Sequence, residues 1–312
     1  MLLSPKNRAA RKKADPGFPW PPLRAGAKVP VWDGSAFRIG KRQLSVLEYG
    51  AAETATPSWD EGLTVFHEEQ AGVAHPIDRA SRNLAIAGLK GRLRGSNPVI
   101  LEIGSSSGFL LPMLTAAFPD ALLIGSDAYG ASLKVMAEKS KGLPLLRFDL
   151  TRCPLPDSCV DAVVMLNVLE HIEDDTLALS QLLRILKPGG VAVIEVPAGA
   201  GLYDIYDELL RHHRRYNGRE LAVKLKGLGF QVLRSSHLGF FLYPAFAAVK
   251  LRNRRLKSSA AVTKRDKVAQ DIAGTRSNFL MDQALKFELA LGRWVSYPFG
   301  IRSVLVVAKP WT

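Results

Sequence analysis

A short loop rich in glycine and serine is the first feature of this sequence that could bind a ligand. It extends from Glu102 through Gly104 and Ser106 to Gly108, and it follows an apolar run over 98–103 that is typical of a buried strand. Small residues at such a turn let a ligand approach the backbone, and the start of the next helix presents free N–H groups to it. We therefore expect this loop to hold a polar ligand.

The spacing within the loop argues against the usual dinucleotide fingerprint. That fingerprint needs glycines at three places, in the pattern Gly-x-Gly-x-x-Gly. Counted from Gly104, the second and third places hold Ser106 and Phe109. A nicotinamide-dependent dehydrogenase is therefore disfavoured.

Two carboxylates follow the next two predicted strands. Asp127 ends the second strand and lies 23 residues after Gly104, where a carboxylate can accept hydrogen bonds from both hydroxyls of a ribose. Asp149 follows the third strand. Each acid alone is typical of a solvated turn. The evidence for a ligand site is therefore the order and spacing of the two acids relative to the loop.

With the later motifs Asn167-Val-Leu169-Glu-His171 and Lys187-Pro-Gly-Gly190, the loop and the two acids resemble class I S-adenosylmethionine-dependent methyltransferases of the ubiquinone-biosynthesis type. The resemblance covers about residues 95–235 and implies S-adenosyl-L-methionine as the cofactor. That family usually has glycine where this chain has Ser106. The implied cofactor-binding residues are Glu102, Gly104, Ser106, Gly108, Asp127, Ala128, Asp149, Leu150, Asn167 and Leu169.

The resemblance also implies a role for several of these positions. Glu102 would organise the loop, and Gly104 to Gly108 would pass the methionine part of the cofactor. Asp149 would meet the adenine amino group, helped by the backbone of the next residue. The segment around Asn167 and Leu169 would lie close to the methionine and the sulfonium.

Groups able to move a proton or bind an anion follow the fourth and fifth predicted strands. Open parallel sheets bind ligands at this edge, so we expect these groups to serve the methyl acceptor, with His171 as a candidate base and Arg215 as a clamp for phosphate or carboxylate. The alternatives are a packing histidine at 171 and a surface helix held by salt bridges. The candidate catalytic residues are His171, Asp207, His213, Arg215 and Tyr216.

The stretch from Asp207 to Tyr216 also resembles an Asp…His-x-Arg-Arg-Tyr signature of bacterial methyltransferases that are often encoded near surface-polysaccharide genes. No residue is predicted to bind a metal. The two cysteines, Cys153 and Cys159, do not form a metal-ligand pattern.

Short strands that alternate with helices predict an α/β fold with a doubly wound, mostly parallel sheet of seven strands. We expect N-terminal helices before this sheet and a helical insertion before its last strand. The predicted strands cover 98–103, 121–126, 145–148, 160–166, 191–196, 230–234 and 303–308. The predicted segments are a basic, proline-rich flexible arm (1–30), a helical extension (31–94), the cofactor-binding core (95–237), the insertion (238–296) and the last strand (297–312).

The net charge of +13 is confined to two segments. Residues 1–28 carry seven basic residues against one acid, and residues 250–267 carry eight against one. Such segments attract an anionic membrane surface or nucleic acid, or they are simply solvated. The sequence shows no signal peptide, and its longest apolar run, 238–249, is too short to span a bilayer. We expect a cytoplasmic protein that could bind peripherally to the inner face of the membrane.

The sequence thus predicts methyl transfer from S-adenosylmethionine to a small-molecule, lipid or lipid-linked saccharide acceptor. Apolar and aromatic residues that directly precede the second basic segment suit a lipid-linked acceptor. A nucleic-acid methyltransferase is one alternative, although the basic segments have few of the interleaved aromatic residues that stack on bases. A methyltransferase-like fold that only binds or scaffolds is the other. The oligomeric state is left open.

Overall fold

The computed structural model describes residues 17–50, 75–106, 108–140, 142–254 and 279–311. The strands in these ranges are β1 (Val31–Trp32), β2 (Phe37–Ile39), β3 (Arg42–Leu44), β4 (Val46–Glu48), β5 (Val99–Ile103), β6 (Leu122–Asp127), β7 (Leu145–Arg147), β8 (Val160–Leu166), β9 (Leu186–Pro197), β10 (Gln231–Leu238) and β11 (Arg302–Ala308). The α-helices are α1 (Pro76–Leu89), α2 (Leu111–Ala117), α3 (Gly130–Lys139), α4 (Asp175–Ile185), α5 (Ile205–Leu209), α6 (Gly218–Gly227), α7 (Tyr243–Arg254) and α8 (Phe279–Leu291).

Eight of the described strands form one sheet in the order β10-β11-β9-β8-β5-β6-β7-β4. Strands β4 to β9 pair in parallel, whereas β11 is antiparallel to both β9 and β10. The chain moves outward from β5 to β7, and β8 then returns to the other side of β5. The carboxyl ends of β5 and β8 therefore lie where the strand order reverses, which is where open α/β sheets bind ligands.

Both faces of the sheet are covered, which explains the nearly continuous apolar runs in its central strands. Every residue of β5 is buried. One apolar cluster packs side chains of α1, α2 and α8 against the sheet, and a second packs α4 and α6 against the opposite face. The predicted α/β class with a doubly wound, mostly parallel sheet is confirmed.

The N-terminal part differs from the prediction of a flexible arm and a helical extension. Phe18 and Trp20 are buried, and the Trp20 ring lies 4.9 Å from that of Phe37. Residues 31–48 form strands, and β4 adds an eighth strand by pairing with β7. Strand β4 could not be predicted, because three residues are too few to show the alternation of apolar and polar residues that is typical of a strand. Of the N-terminal helices that the sequence predicts before the sheet, α1 is present, and residues 51–74 lie outside the described residues.

One further boundary departs from the sequence pattern. Strand β9 begins at Leu186, directly after α4, and includes Lys187-Pro-Gly-Gly190, whereas the predicted strand begins at 191. In the insertion, the described parts form α7 and α8. None of the described helices combines the length and the apolar character needed to cross a membrane.

Candidate active site

The glycine loop leaves the end of β5 in a backbone conformation that depends on missing side chains. Gly104 has φ +77°, and the N–H groups of Gly104 and Ser105 both donate to the carbonyl of Ser126 at 2.9 Å. A Cβ placed on Gly104 would lie 2.2 Å from Cγ2 of Val168. The loop therefore packs directly against the segment that follows β8.

Asp127 joins this loop to the turn after β6. Its Oδ2 accepts a hydrogen bond from the Ser106 N–H at 2.9 Å, and its Oδ1 accepts one from the Tyr129 N–H at 3.0 Å. A carboxylate oxygen can accept more than one hydrogen bond, so Asp127 has the chemistry to bind a pair of ligand hydroxyls. Ser106 has φ +43°, which explains why glycine is favoured at this position.

Glu102 is a buried carboxylate at the end of β5. Burial raises its pKa to about 8, which the hydrogen bond from Ser105 and the charge of Arg82 only partly oppose. Among the described residues, its Oε2 has no hydrogen-bond partner. A buried oxygen of this kind is costly unless a donor meets it, and an ammonium group is a suitable donor.

We expect Glu102→Gln to flatten the dependence of stability on pH. The native pKa lies above the unfolded value, so the stabilising contribution is complete below about pH 4.5 and is lost as the pH rises through about 8. Between these values the wild-type protein should lose up to about 1.4 kcal/mol per pH unit relative to the variant. Urea unfolding from pH 5 to 8 measures this difference. The exposed-residue control Glu138→Gln should keep the wild-type slope; equal slopes in all three proteins would contradict the assignment.

The other predicted cofactor residues line the same edge of the sheet. Asp149 is exposed, and its Oδ1 accepts hydrogen bonds at 2.8 Å from the N–H and the hydroxyl of Thr151. Leu150 is buried, and Ala128 is exposed after β6. Gly108 has φ +75°, and a Cβ there would lie 2.6 Å from Sδ of Met136.

Buried polar contacts with β9 and β11 fix the segment that follows β8. Asn167 has φ +52°, and its side-chain amide donates to Oε1 of the fully buried Glu195 at 3.1 Å. Arg302 pairs with the same oxygen at 3.0 Å and also contacts Asp78 on α1. Leu169 is fully buried. These contacts hold the segment rigidly beside the glycine loop.

The predicted acceptor residues divide into buried and exposed groups. Arg215 is buried, with its guanidinium 2.9 Å from Oδ1 of Asp207 and its Nε donating to the carbonyl of Ala198. An internal carboxylate, rather than a ligand, therefore meets the charge of Arg215. His213 is exposed, and its N–H donates to the carbonyl of Glu170.

Tyr216 also has internal partners. Its hydroxyl lies 3.2 Å from the carbonyl oxygen of Leu169 and 3.1 Å from Oδ2 of Asp175. Burial, followed by the charge of Asp175, raises the pKa of Tyr216 above its ordinary value. These contacts make Tyr216 an anchor for the segment after β8 rather than a base.

Asp207 lies at the centre of a buried charged cluster. Its carboxylate contacts Nδ1 of His212 at 2.8 Å, Arg215 at 2.9 Å and Nζ of Lys250 at 2.9 Å. Burial opposes its ionisation, but the His212 hydrogen bond and the two cations together lower the pKa of Asp207. An acid that is this fully engaged is a poor proton acceptor, so Asp207 has the surroundings of a structural residue.

His171 lies on a 3-10 turn (Leu169–His171) directly after β8. Its ring centroid is 4.7 Å from that of His212. Burial, followed by the neighbouring histidines, lowers the pKa of His171 to about 2. His171 is therefore neutral at physiological pH, which makes it a weak base.

Sequence reasoning missed several residues that shape this region. They are Arg82, Glu170, Glu195, His212, Lys250 and Arg302. A charged residue inside the apolar run of β9 was a visible signal for Glu195, because a buried acid needs a partner. Lys250 was counted with the second basic segment, but it is buried and pairs with Asp204 at 2.6 Å. The rest of that segment from 255 onward lies outside the described residues.

Comparison with known proteins agrees with the geometry of the site. Residues 101–194 match the family model described as a methyltransferase domain. An uncharacterised methyltransferase of Bacillus subtilis, YdaC, is 32% identical over 134 residues, which are 42% of this chain and 71% of that protein. The Thermus thermophilus demethylmenaquinone methyltransferase is 33% identical over 103 residues, which are 31% of this chain and 47% of that protein.

Another relative, from Mycolicibacterium smegmatis, is named "Probable S-adenosylmethionine-dependent methyltransferase" and is 30% identical over 156 residues, which are 49% of this chain. The chain spans 59% of that relative's length. Among solved structures, Haemonchus contortus phosphoethanolamine N-methyltransferase 2 in complex with S-adenosyl-L-methionine is similar to this chain, with a TM-score of 0.52 and 16% identity. The matched region covers 82% of this chain and 58% of that protein's chain. At this identity the likeness shows the fold.

The order of the motifs, the ligand-binding edge of the sheet and these relatives agree with one another. The family's cofactor is S-adenosyl-L-methionine, as the resemblance of the sequence implied. The chain belongs to the class I S-adenosylmethionine-dependent methyltransferases.

Proposed function

We propose that this protein transfers a methyl group from S-adenosylmethionine to a small-molecule or lipid-linked acceptor. The observation that carries the proposal is the pair of carboxylates at the reversal point of the sheet. Glu102 has a buried oxygen in need of a donor, and the Asp127 carboxylate joins the glycine loop to the turn after β6 through the N–H groups of Ser106 and Tyr129. Family membership supports the same conclusion.

The residues at this edge fit the cofactor. Glu102 would hold the amino group of its methionine part, Asp127 its ribose hydroxyls, and Asp149 with the backbone of Leu150 its adenine. When bound, the cofactor supplies a methyl group that its sulfonium has already activated. The protein's part is then to bind and orient both partners and to exclude water.

Exposed aromatic side chains on and around α7 and α8 support an acceptor with an apolar part. The Phe241 ring lies 5.8 Å from that of Phe287, and both are exposed. Further exposed apolar residues of this insertion are Leu251, Phe279, Leu280, Trp294 and Val295. Exposed apolar residues of this kind mark binding surfaces, and these lie within and on both sides of the basic segment 250–267 in the sequence.

We expect S-adenosylmethionine to bind in the micromolar range common for metabolite sites, and Asp127→Ala to weaken that binding by about 1–3 kcal/mol. The variant removes the acceptor of the Ser106 and Tyr129 N–H groups together with that of the ribose hydroxyls. Isothermal titration calorimetry measures the affinity. Asp120→Ala, at an exposed position before β6, is the control and should bind as the wild type does. Tighter binding of NAD than of the methyl donor would contradict the proposal.

The acceptor itself can be identified with an isotopically labelled methyl group. The protein is incubated with labelled cofactor and with lipid, small-molecule or nucleic-acid extracts, and each fraction is analysed by mass spectrometry. We expect label in the lipid or small-molecule fraction. Label confined to nucleic acid would instead support a nucleic-acid methyltransferase, and cofactor binding with no label in any fraction would support a binding module.

A further inference from the structure

Three potential metal ligands come together at the end of β8. Glu170 and His171 lie on the turn that follows this strand, and His212 lies on the loop after α5. One ligand atom from each residue lies within 4.8 Å of the ligand atoms of the other two. Glu170 and His212 are buried, and His171 is half-buried. Two imidazoles and a carboxylate are a common donor set for transition metals.

Glu170 provides an independent reason to expect a cation. Its side chain is 1% exposed, and among the described residues its Oε2 has no hydrogen-bond partner. Leaving a buried carboxylate oxygen without a donor or a cation is costly. A bound cation would meet this oxygen.

His212 is also held in the way that metal ligands are held. Its Nδ1 lies 2.8 Å from Oδ1 of Asp207, which leaves Nε2 as the nitrogen that can bind a metal. The ring of His171 packs against that of His212, with the ring centroids 4.7 Å apart. A carboxylate or backbone carbonyl on the second ring nitrogen orients the imidazole and makes it a better ligand.

We propose that Glu170, His171 and His212 form a binding site for a divalent transition-metal ion such as Zn²⁺. The sequence predicted no metal because about 40 residues separate the two histidines, and only the fold brings them together. Three protein ligands leave such an ion with an open coordination position. The class of acceptor rests on the proposed methyl transfer: the site would take an acceptor with a hydroxyl or acidic oxygen, because the open position of such an ion binds an oxygen ligand and favours its deprotonation.

Metal binding to the full chain tests the site without reference to activity. After treatment with a chelator, Zn²⁺ is titrated calorimetrically, and we expect one ion per chain and a higher melting temperature. Mg²⁺ should not bind, because it prefers an all-oxygen shell. Glu170→Gln and His212→Gln should each weaken Zn²⁺ binding at least tenfold. His213→Gln removes the exposed neighbouring histidine and should leave Zn²⁺ stoichiometry and affinity unchanged.

A second measurement on the wild type does not depend on the variants folding. Co²⁺ should give the visible absorption of a four- or five-coordinate site with nitrogen ligands. No Zn²⁺ binding, an aquo-like Co²⁺ spectrum, or wild-type Zn²⁺ affinity in folded Glu170→Gln and His212→Gln would each overturn the metal site. Cofactor titration of the same metal-free protein separates the two proposals. Cofactor binding without Zn²⁺ binding defeats only the metal site, and the reverse result defeats only the methyl-transfer proposal.

Discussion

Replacing Gly104 by alanine should lower the free energy of unfolding by about 3 kcal/mol and greatly reduce cofactor binding, because two effects combine at this position. The new Cβ would lie 2.2 Å from Cγ2 of Val168, and φ at residue 104 is +77°. The loop would have to move away from the segment after β8, and the N–H groups that bind the carbonyl of Ser126 would move with it. Urea unfolding and calorimetry with S-adenosylmethionine measure the two losses.

Gly91 provides a matched control for the backbone effect. It has nearly the same φ, +74°, but a Cβ there would meet nothing within 4 Å. Gly91→Ala should therefore cost only about 1 kcal/mol and leave cofactor affinity unchanged. Val168→Ala in the Gly104→Ala background should recover part of the loss by removing the clashing methyl group. Equal destabilisation by Gly91→Ala and Gly104→Ala would show that the contact with Val168 has no effect.

Lys250→Met should be the most destabilising change on α7, with a loss of about 3–5 kcal/mol. The ammonium of Lys250 lies 2.6 Å from Oδ1 of Asp204 and 2.9 Å from Oδ2 of Asp207, and all three residues are buried. Asp207 keeps Arg215 and His212 after the substitution, but Asp204 loses its cation. Removing one partner of a buried ion pair leaves an uncompensated charge, which costs more than the pair itself contributes.

Two further variants define the cause of this loss. Lys286→Met makes the same change at an exposed position of α8, and thermal unfolding should shift little. Asp204→Asn combined with Lys250→Met should regain stability relative to Lys250→Met alone, because asparagine keeps the N-cap of α5 without the charge. A Lys250→Met protein as stable as the Lys286→Met protein would contradict the burial of this ion pair.

The positions of the predicted cofactor residues in the fold could be inferred from the sequence, because these residues belong to short motifs at the ends of consecutive strands. Glu102 and Asp127 lie where the strand pattern placed them, and the parallel sheet brings such ends together. Gly104 was recognisable because a left-handed turn at a strand end favours glycine. Local sequence was sufficient to predict the position of a residue wherever that position depended only on the strand to which the residue belongs.

The acceptor side could not be predicted in the same way. Whether Arg215 meets a ligand or an internal acid depends on Asp207 and Lys250, which lie on other elements. Whether His212 or His213 is the buried histidine depends on the conformation of a loop. Adjacent loop residues show no periodic pattern from which burial could be predicted. The strands in 31–48 are too short to show an alternation, so their pairing with β7 was invisible before the fold was known.

The position of β11 also sets an order of assembly in time. β11 lies between β9 and β10, and its Val304 pairs with Glu195, more than 100 residues earlier in the chain. Contacts of such long range form late, because a large loop must close before they contribute. Arg302, at the start of β11, is also the cation that meets Glu195 and Asp78. During synthesis, the buried Glu195 that holds Asn167 therefore lacks its cation until residues 302–308 have left the ribosome, and we expect a nascent chain to bind cofactor only after that point.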